Sequence, residues 1–206
     1  MRQSIVICIS GPSGAGKSSL MERSVELLED AVSFYFDAYQ STLRFPDDLF
    51  ERINRGEKVN PHEVRNDEFL RDLTQLHNGM EVTDPWNRKL MPAKFIIVEE
   101  PFGRLREGMD AIIHTSVCID LPLEISLCRR MIRNLTYDYV NEPPQERLDR
   151  ILNYVTSYHD FEGKAMRHLY EHLKLRSDLL LDGLKSKETI VQQLLEHLKE
   201  INQRQQ

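Results

Sequence analysis

The 206-residue sequence has three cysteines, one tryptophan and no basic block of five or more residues. The few cysteines and the missing basic block each exclude something. Cys8, Cys118 and Cys128 lie far apart in apolar surroundings. Buried thiols in a reducing compartment are expected, not a disulfide framework or a thiolate metal site. A net charge of −6 without clustered Lys and Arg argues against nucleic acid as the main partner, because gripping a phosphate backbone needs grouped cations. No apolar run approaches the length of a membrane span. The run Ile5 to Ile9 is too short for a signal-peptide core. A cytoplasmic chain without a membrane partner is the expectation. The seven histidines show no metal-ligand set, and His168 and His172, four residues apart, read as helix-surface residues. No repeat or low-complexity tract divides the chain, so residues 1–206 read as one domain.

What the sequence does have begins near its start. Ile5-Val6-Ile7-Cys8-Ile9-Ser10 is an apolar, β-branched run leading into Gly11-Pro12-Ser13-Gly14-Ala15-Gly16-Lys17-Ser18-Ser19. This is the phosphate-binding P-loop pattern G-x-x-x-x-G-K-[ST], in the strand–loop–helix context that gives it meaning. The glycines let successive N–H groups turn inward toward a phosphate, and the helix N-terminus adds partial positive charge. Lys17 is expected to reach the β- and γ-phosphates and the Ser18 hydroxyl to ligate magnesium. Gly11, Ser13, Gly14, Ala15, Gly16, Lys17, Ser18 and Ser19 form the expected nucleotide-binding set, with ATP and Mg2+ as cofactors.

Helical spacing continues to Asp30. Ala31 to Phe36 is aromatic and β-branched, predicting a second strand that ends at Asp37. Residues 39–92 differ in character and read as an inserted acceptor-binding lobe. In it, Pro46 opens one short helix to Arg55. Asn60-Pro61 starts another, with Val64, Phe69, Leu73 and Leu76 as its apolar stripe and Asn78-Gly79 as its stop. Residues 81–92 read as loop or irregular hairpin. Lys94 to Val98 is continuously apolar, the mark of a strand covered on both faces. A short helix around Arg104 to Met109 follows, then a strand over Thr115 to Ile119. Pro122 opens a helix to Asn134. Residues 129–146 read as a lid, with a mobile polar stretch from Leu135 to Pro144. A long helical stretch, a fifth strand at 177–181 and a closing helix capped by Ser186 complete the chain. Strands alternating with helices imply an α/β, three-layer fold: a five-stranded parallel sheet with helices on both faces. Its strand ends would gather the P-loop, Asp37, Glu99 and Asp120 on one edge.

Several residues there suit phosphoryl transfer. Asp37 is placed to act as base toward an acceptor hydroxyl. Glu99 follows its buried strand as a Walker-B acid would, and Ser18, Asp37 and Glu99 are the candidates to hold magnesium. Of the neighbours Glu99 and Glu100, only one is expected to face the site, the other being solvated. Arg129, Arg130 and Arg133 share a helix at spacings that bring Arg133 beside both others. Arg129 and Arg133 are expected to stabilise charge during transfer and Arg130 to hold the nucleotide. Tyr39, Arg44, Phe45, Trp86 and Arg88, with Asn87, are the candidates to bind the acceptor; Trp86 could equally plug a small core of the lobe.

Four blocks of sequence resemble the uridine kinase and phosphoribulokinase family of P-loop kinases. They are Ile7 to Ser18; Phe36-Asp37-Ala38-Tyr39, like that family's aspartate followed by an aromatic; Ile97-Val98-Glu99; and Cys118 to Asn134, similar to its strand–Asp–helix lid with Arg-Arg-x-x-Arg. Ser177-Asp178 is similar to its Ala-Asp before the last strand. The chain differs in having Glu100-Pro101 where that family has Gly, Ser126 in place of a lid Arg, and Asn134 in place of Asp. Counterparts of the family's uracil-contacting Tyr and His are absent around residues 84–87. The resemblance implies an alcohol-group phosphotransferase that uses ATP and magnesium on a uridine-like nucleoside or related metabolite, with Asp37 as the base; it leaves homo-oligomerisation open. The competing classes are a nucleotide-dependent switch acting on a protein partner and a kinase of this fold with a non-nucleoside acceptor. A guanylate-kinase relative lacks support, having no Arg- and Tyr-rich segment after the first helix. A transporter ATPase lacks its second signature.

Overall fold

The computed structural model describes residues 4–58 and 60–204. The chain begins with β1 (Ile5–Ser10), every residue of which is buried. Then come α1 (Lys17–Leu27), β2 (Ala31–Phe34), α2 (Leu49–Asn54), α3 (Asp67–His77), a small antiparallel hairpin of β3 (Val82–Thr83) and β4 (Lys89–Leu90), and β5 (Phe95–Glu99). After β6 (Thr115–Asp120), the helices α4 (Leu123–Arg133), α5 (Pro144–Ser157) and α6 (Gly163–Leu175) lead to β7 (Leu179–Asp182) and α7 (Lys187–Arg204). The main sheet has the order β2-β5-β1-β6-β7, all neighbours parallel. This is the five-stranded, three-layer α/β fold that the strand pattern implied.

Side-chain alternation explains the layering. Val6, Cys8, Ile96, Val98 and Phe34 point to one face and pack on Phe69, Leu73 and Leu76 of α3. Ile5, Ile7, Ile9, Ile97, Val117 and Ile119 point to the other, against Leu20 and Met21 of α1 and Ile190, Val191 and Leu194 of α7. A strand covered on both faces has no polar side to show, hence the unbroken apolar runs. Burial of each Val, Leu or Ile stabilises by about 1.5–3 kcal/mol relative to exposure. The inserted segment therefore shares the main core through α3.

Several elements depart from the sequence expectation. β2 stops at Phe34, and Phe36–Thr42 coils into a 3-10 segment whose first turn carries Asp37. Phe36 and Tyr39, three apart, thereby both reach Phe69, with ring centroids at 5.6 and 5.4 Å. The helix expected from Asn60 splits into a turn at Pro61–Glu63 and α3. Between them Arg65 bridges to Arg44, and Asn66 accepts from Phe69 N at 3.2 Å to cap α3. Toward Met109 there is one 3-10 turn, Gly103–Leu105, because Arg106 turns inward. The stretch after α4 is partly ordered as a π-helical turn, Asn134–Asp138. A second π turn, Tyr158–Glu162, joins α5 to α6, so the long helix does run past Gly163. Cys8 and Cys118 are buried as expected, but Cys128 is exposed on α4.

Candidate functional site

The P-loop leaves β1 at the centre of the sheet and enters α1. Gly11 has φ +138°, and a Cβ there would lie 2.9 Å from the Ile119 carbonyl oxygen on the neighbouring strand. Gly14 has φ +81°, and its Cβ would press on Arg129 Cβ at 3.2 Å. Glycine at these two places lets the loop curl tightly while α4 lies against it. Ser126 adds a brace, its hydroxyl donating to the Ser13 carbonyl at 2.6 Å.

Lys17, at the first position of α1, reaches back over the loop and donates to the carbonyls of Gly11 at 3.1 Å and Pro12 at 3.2 Å. Its Nζ lies 3.5 Å from Glu99 Oε1 at the end of β5, with the two side chains 10% and 8% exposed. Burial pulls the Lys17 ammonium below its ordinary value, against the raising influence of Glu99 and Asp37. Burial pushes the Glu99 carboxyl up, against the Lys17 charge. Each ion is expensive to bury alone and supports the other. Of the two neighbouring acids, Glu99 is thus the one that faces the site. Glu100, rather than being solvated, is wholly buried and paired with Arg106, whose Nε donates to Glu100 Oε2 at 3.2 Å. The Arg106 guanidinium also lies 4.9 Å from the Phe69 ring centroid and donates to Asn66 O at 3.4 Å.

A cleft of about 690 Å³ opens over these groups. Its walls bring together the P-loop, Lys17, Ser18, Ser19, Asp37, Glu99, Arg129, Arg130 and Arg133, so residues from four separated stretches share one space. Asp37 is exposed and accepts from Gln40 Nε2 at 2.8 Å. Arg130 donates to Ser13 Oγ at 2.6 Å and lies 5.4 Å from the Tyr154 ring centroid, while its Nε is buried without a partner. Arg129 donates to Gly183 O at 3.2 Å and also lines a smaller cleft of about 270 Å³ with Lys185 and Lys187. Arg133, half-exposed, lies 3.5 Å from Asp138.

The residues suit a nucleoside triphosphate with magnesium. The orphaned Arg130 Nε and the paired Lys17 are cations at the edge of an open cradle, and Ser18, Asp37 and Glu99 supply oxygen donors. Magnesium uses one or two carboxylates plus substrate phosphates. No group of three or more His, Cys, Asp or Glu able to hold a metal occurs among the described residues.

The expected acceptor residues are placed elsewhere. Tyr39 is fully buried, its hydroxyl donating to Asp72 at 3.0 Å, and is part of the core. Arg44 donates to the Ser41 and Leu43 carbonyls. Phe45 is half-exposed on the lobe. Trp86 is 52% exposed on the hairpin turn, not plugging a core. Arg88 lies 4.7 Å from the Tyr35 ring centroid and 5.5 Å from that of Trp86, tied to Asp84 at 2.6 Å. None of the five lines the cleft. Its remaining wall comes from Phe36, Gln40, Pro101, Met166 and Tyr170, which sequence reasoning missed. Met166 and Tyr170 had one available signal, a shared helix face at a spacing of four.

No family model matches the chain. The uridine kinase of Borrelia duttonii is 25% identical over 142 residues, 64% of this chain and 68% of that protein. The uridine kinase of Haemophilus ducreyi is 29% identical over 146 residues, 64% of this chain and 67% of that protein. Among solved structures, a protein assigned as a fructose transport system kinase from Silicibacter sp. TM1040 superposes with a TM-score of 0.53 at 15% identity, covering 87% of this chain and 90% of its own. The chain is thus similar to these uridine kinases in sequence and shares the fold of the kinase structure it superposes on.

Proposed function

We propose that the protein transfers the γ-phosphate of ATP to a hydroxyl of a small molecule, of which a nucleoside is the favoured class. One observation carries this reading: the P-loop with the buried Lys17–Glu99 pair shares a single cleft with Asp37 and three arginines. The kinase names of its relatives support it.

In this reading the loop amides and Lys17 hold the β- and γ-phosphates. The smaller cleft beside Arg129, Lys185 and Lys187 takes the rest of the donor. Asp37, oriented by Gln40, receives the acceptor's hydroxyl proton or holds that hydroxyl in line. Arg129, Arg130 and Arg133 lie where negative charge spreads over the transferred group. Magnesium, held by Ser18 with Asp37 and Glu99, would neutralise phosphate charge. Phe36, Met166 and Tyr170 offer an apolar and aromatic wall suited to a planar ring, which favours a nucleoside and disfavours a protein switch needing no such space. No helix among the described residues is long and apolar enough to cross a membrane.

The test is acceptor-stimulated turnover. Nucleosides, sugars and pantothenate-like alcohols are offered with ATP and magnesium, and phosphorylated product is measured. A nucleoside that raises ADP release and appears phosphorylated supports the reading. ATP hydrolysis indifferent to every acceptor, with a protein partner released on nucleotide exchange, would replace it with the switch.

A further inference from the structure

Away from the nucleotide cleft, a second cavity of about 310 Å³ opens between the inserted lobe and α6. Lys58 and His62 approach it from the lobe, His168 and His172 from α6 and Arg176 from just past its end, with Leu105 also in the lining. None of its lining residues is acidic, in a chain whose net charge is −6. His168 and His172 are one helical turn apart, their ring centroids 4.3 Å from each other. Lys58, His62 and Arg176 form no ion pair among the described residues. The nearby acids are engaged or turned away: Glu63 pairs with Arg52 and Glu57 with Arg55, while Glu171 lines a different cavity. The three imidazoles do not form a metal-ligating group.

Two fixed cations line one concavity beside three imidazoles that can donate hydrogen bonds, and no acidic side chain lines it among the described residues. We propose that this cavity binds the phosphate group of a small phosphorylated metabolite, at a site separate from the nucleotide cleft. Phosphate matches the chemistry, with oxygens to accept from the imidazoles and the Asn60 amide and a charge that pairs with Lys58 and Arg176. The site shares no lining residue with the nucleotide cleft. It is nevertheless joined to that cleft through α6, which carries Met166 and Tyr170 on one face and His168 and His172 on another. A bound phosphate would tie the lobe to this helix.

His168 is held below the usual histidine range by burial, then by His172 and Lys58, with Glu171 opposing. His62 and Arg176 line the same space.

The experiment follows histidine ring protons by NMR in the full chain, with a non-hydrolysable ATP analogue and magnesium filling the nucleotide cleft. Inorganic phosphate and glycerol 3-phosphate are the probes. Saturable shifts are expected at His62, His168 and His172 but not at His77, His114 or His197. The exposed changes Lys58→Ala and Arg176→Ala should together weaken binding about tenfold or more while leaving ATP affinity unchanged. Binding of inorganic phosphate with the ester excluded would overturn the metabolite assignment. An unsaturable drift shared by all histidines, or an affinity indifferent to both changes, would overturn the site.

Discussion

In the proposed reading, the donor half and the acceptor half of the cleft are built on different terms. On the donor side one contiguous stretch, Gly11 to Ser19, supplies loop, lysine and hydroxyls, and β1 and α1 fix it in place. On the acceptor side, Asp37 and Gln40 come from a 3-10 turn, Pro101 from the loop after β5, and Met166 and Tyr170 from α6. Those positions span more than half of the chain. A site whose atoms are main-chain amides in a fixed curl is written in one local pattern. A site whose atoms are side-chain tips from several elements is written only in how those elements pack.

This contrast predicts unequal responses to mutation. Lys17→Ala should have the largest effect, removing measurable phosphoryl transfer and much of the ATP affinity, while circular dichroism reports an intact fold. Retained turnover would break the donor assignment. Asp37→Asn should follow, lowering kcat by about two to four decades with ATP affinity preserved, the scale of a lost general base. Calorimetric titration of the ATP analogue separates the two, since the first variant loses binding and the second keeps it. A normal rate for Asp37→Asn would leave Asp37 as a partner of Gln40 alone.

The same contrast explains what was legible beforehand. The five strands, the P-loop, Glu99 and the three arginines could be read because a two-face-buried strand and a glycine-rich turn are local signals. The sequence locates Asp37 but points to a strand end, whereas it belongs to a 3-10 turn; the aromatic-rich stretch 34–39 satisfies both periods. Tyr39 and Trp86 looked like acceptor contacts because an aromatic beside a candidate base invites that role. Only packing shows that Phe34 and Phe69 enclose Tyr39, with ring centroids at 5.3 and 5.4 Å, and that Trp86 leans on Tyr35 at 5.9 Å. The sequence leaves open which of Glu99 and Glu100 faces the site, because the partner of Glu100, Arg106, sits six residues on, beyond a turn whose geometry the sequence does not print.

That buried pair gives a third, smaller prediction, which joins the two halves. Glu100 follows Glu99 at the strand end, and Arg106 reaches Asn66 in the lobe. Arg106→Met should destabilise the protein by about 3–5 kcal/mol at neutral pH, because it leaves a buried carboxylate unpaired. Burial already pushes the Glu100 carboxyl above its ordinary value, and Arg106 opposes this. Without Arg106 the native state holds a proton that the unfolded chain has released, over the window from the ordinary carboxylate value up to the raised one. Stability of the variant therefore falls as pH rises through that window. Urea denaturation at pH 5 and pH 7.5 should show the gap to the parent widening at the higher pH. A gap independent of pH would mean that Glu100 is not the group left uncompensated.

The smallest effect is expected at the hairpin, and it is the sharpest test of where the acceptor half lies. Trp86 is exposed, Arg88 is engaged by Asp84 and the Tyr35 ring, and neither lines the cleft. Trp86→Ala should then change acceptor KM by less than about twofold and cost about 0.5 kcal/mol in stability, the scale of an ordinary surface substitution. Tyr170→Leu, which alters the cleft wall, serves as the contrast and should raise acceptor KM while leaving ATP affinity in place. If Trp86→Ala raised acceptor KM tenfold and Tyr170→Leu did not, the acceptor would have to be gripped by the hairpin closing over the cleft. The lobe would then act through its tip, and not through the turn at Asp37.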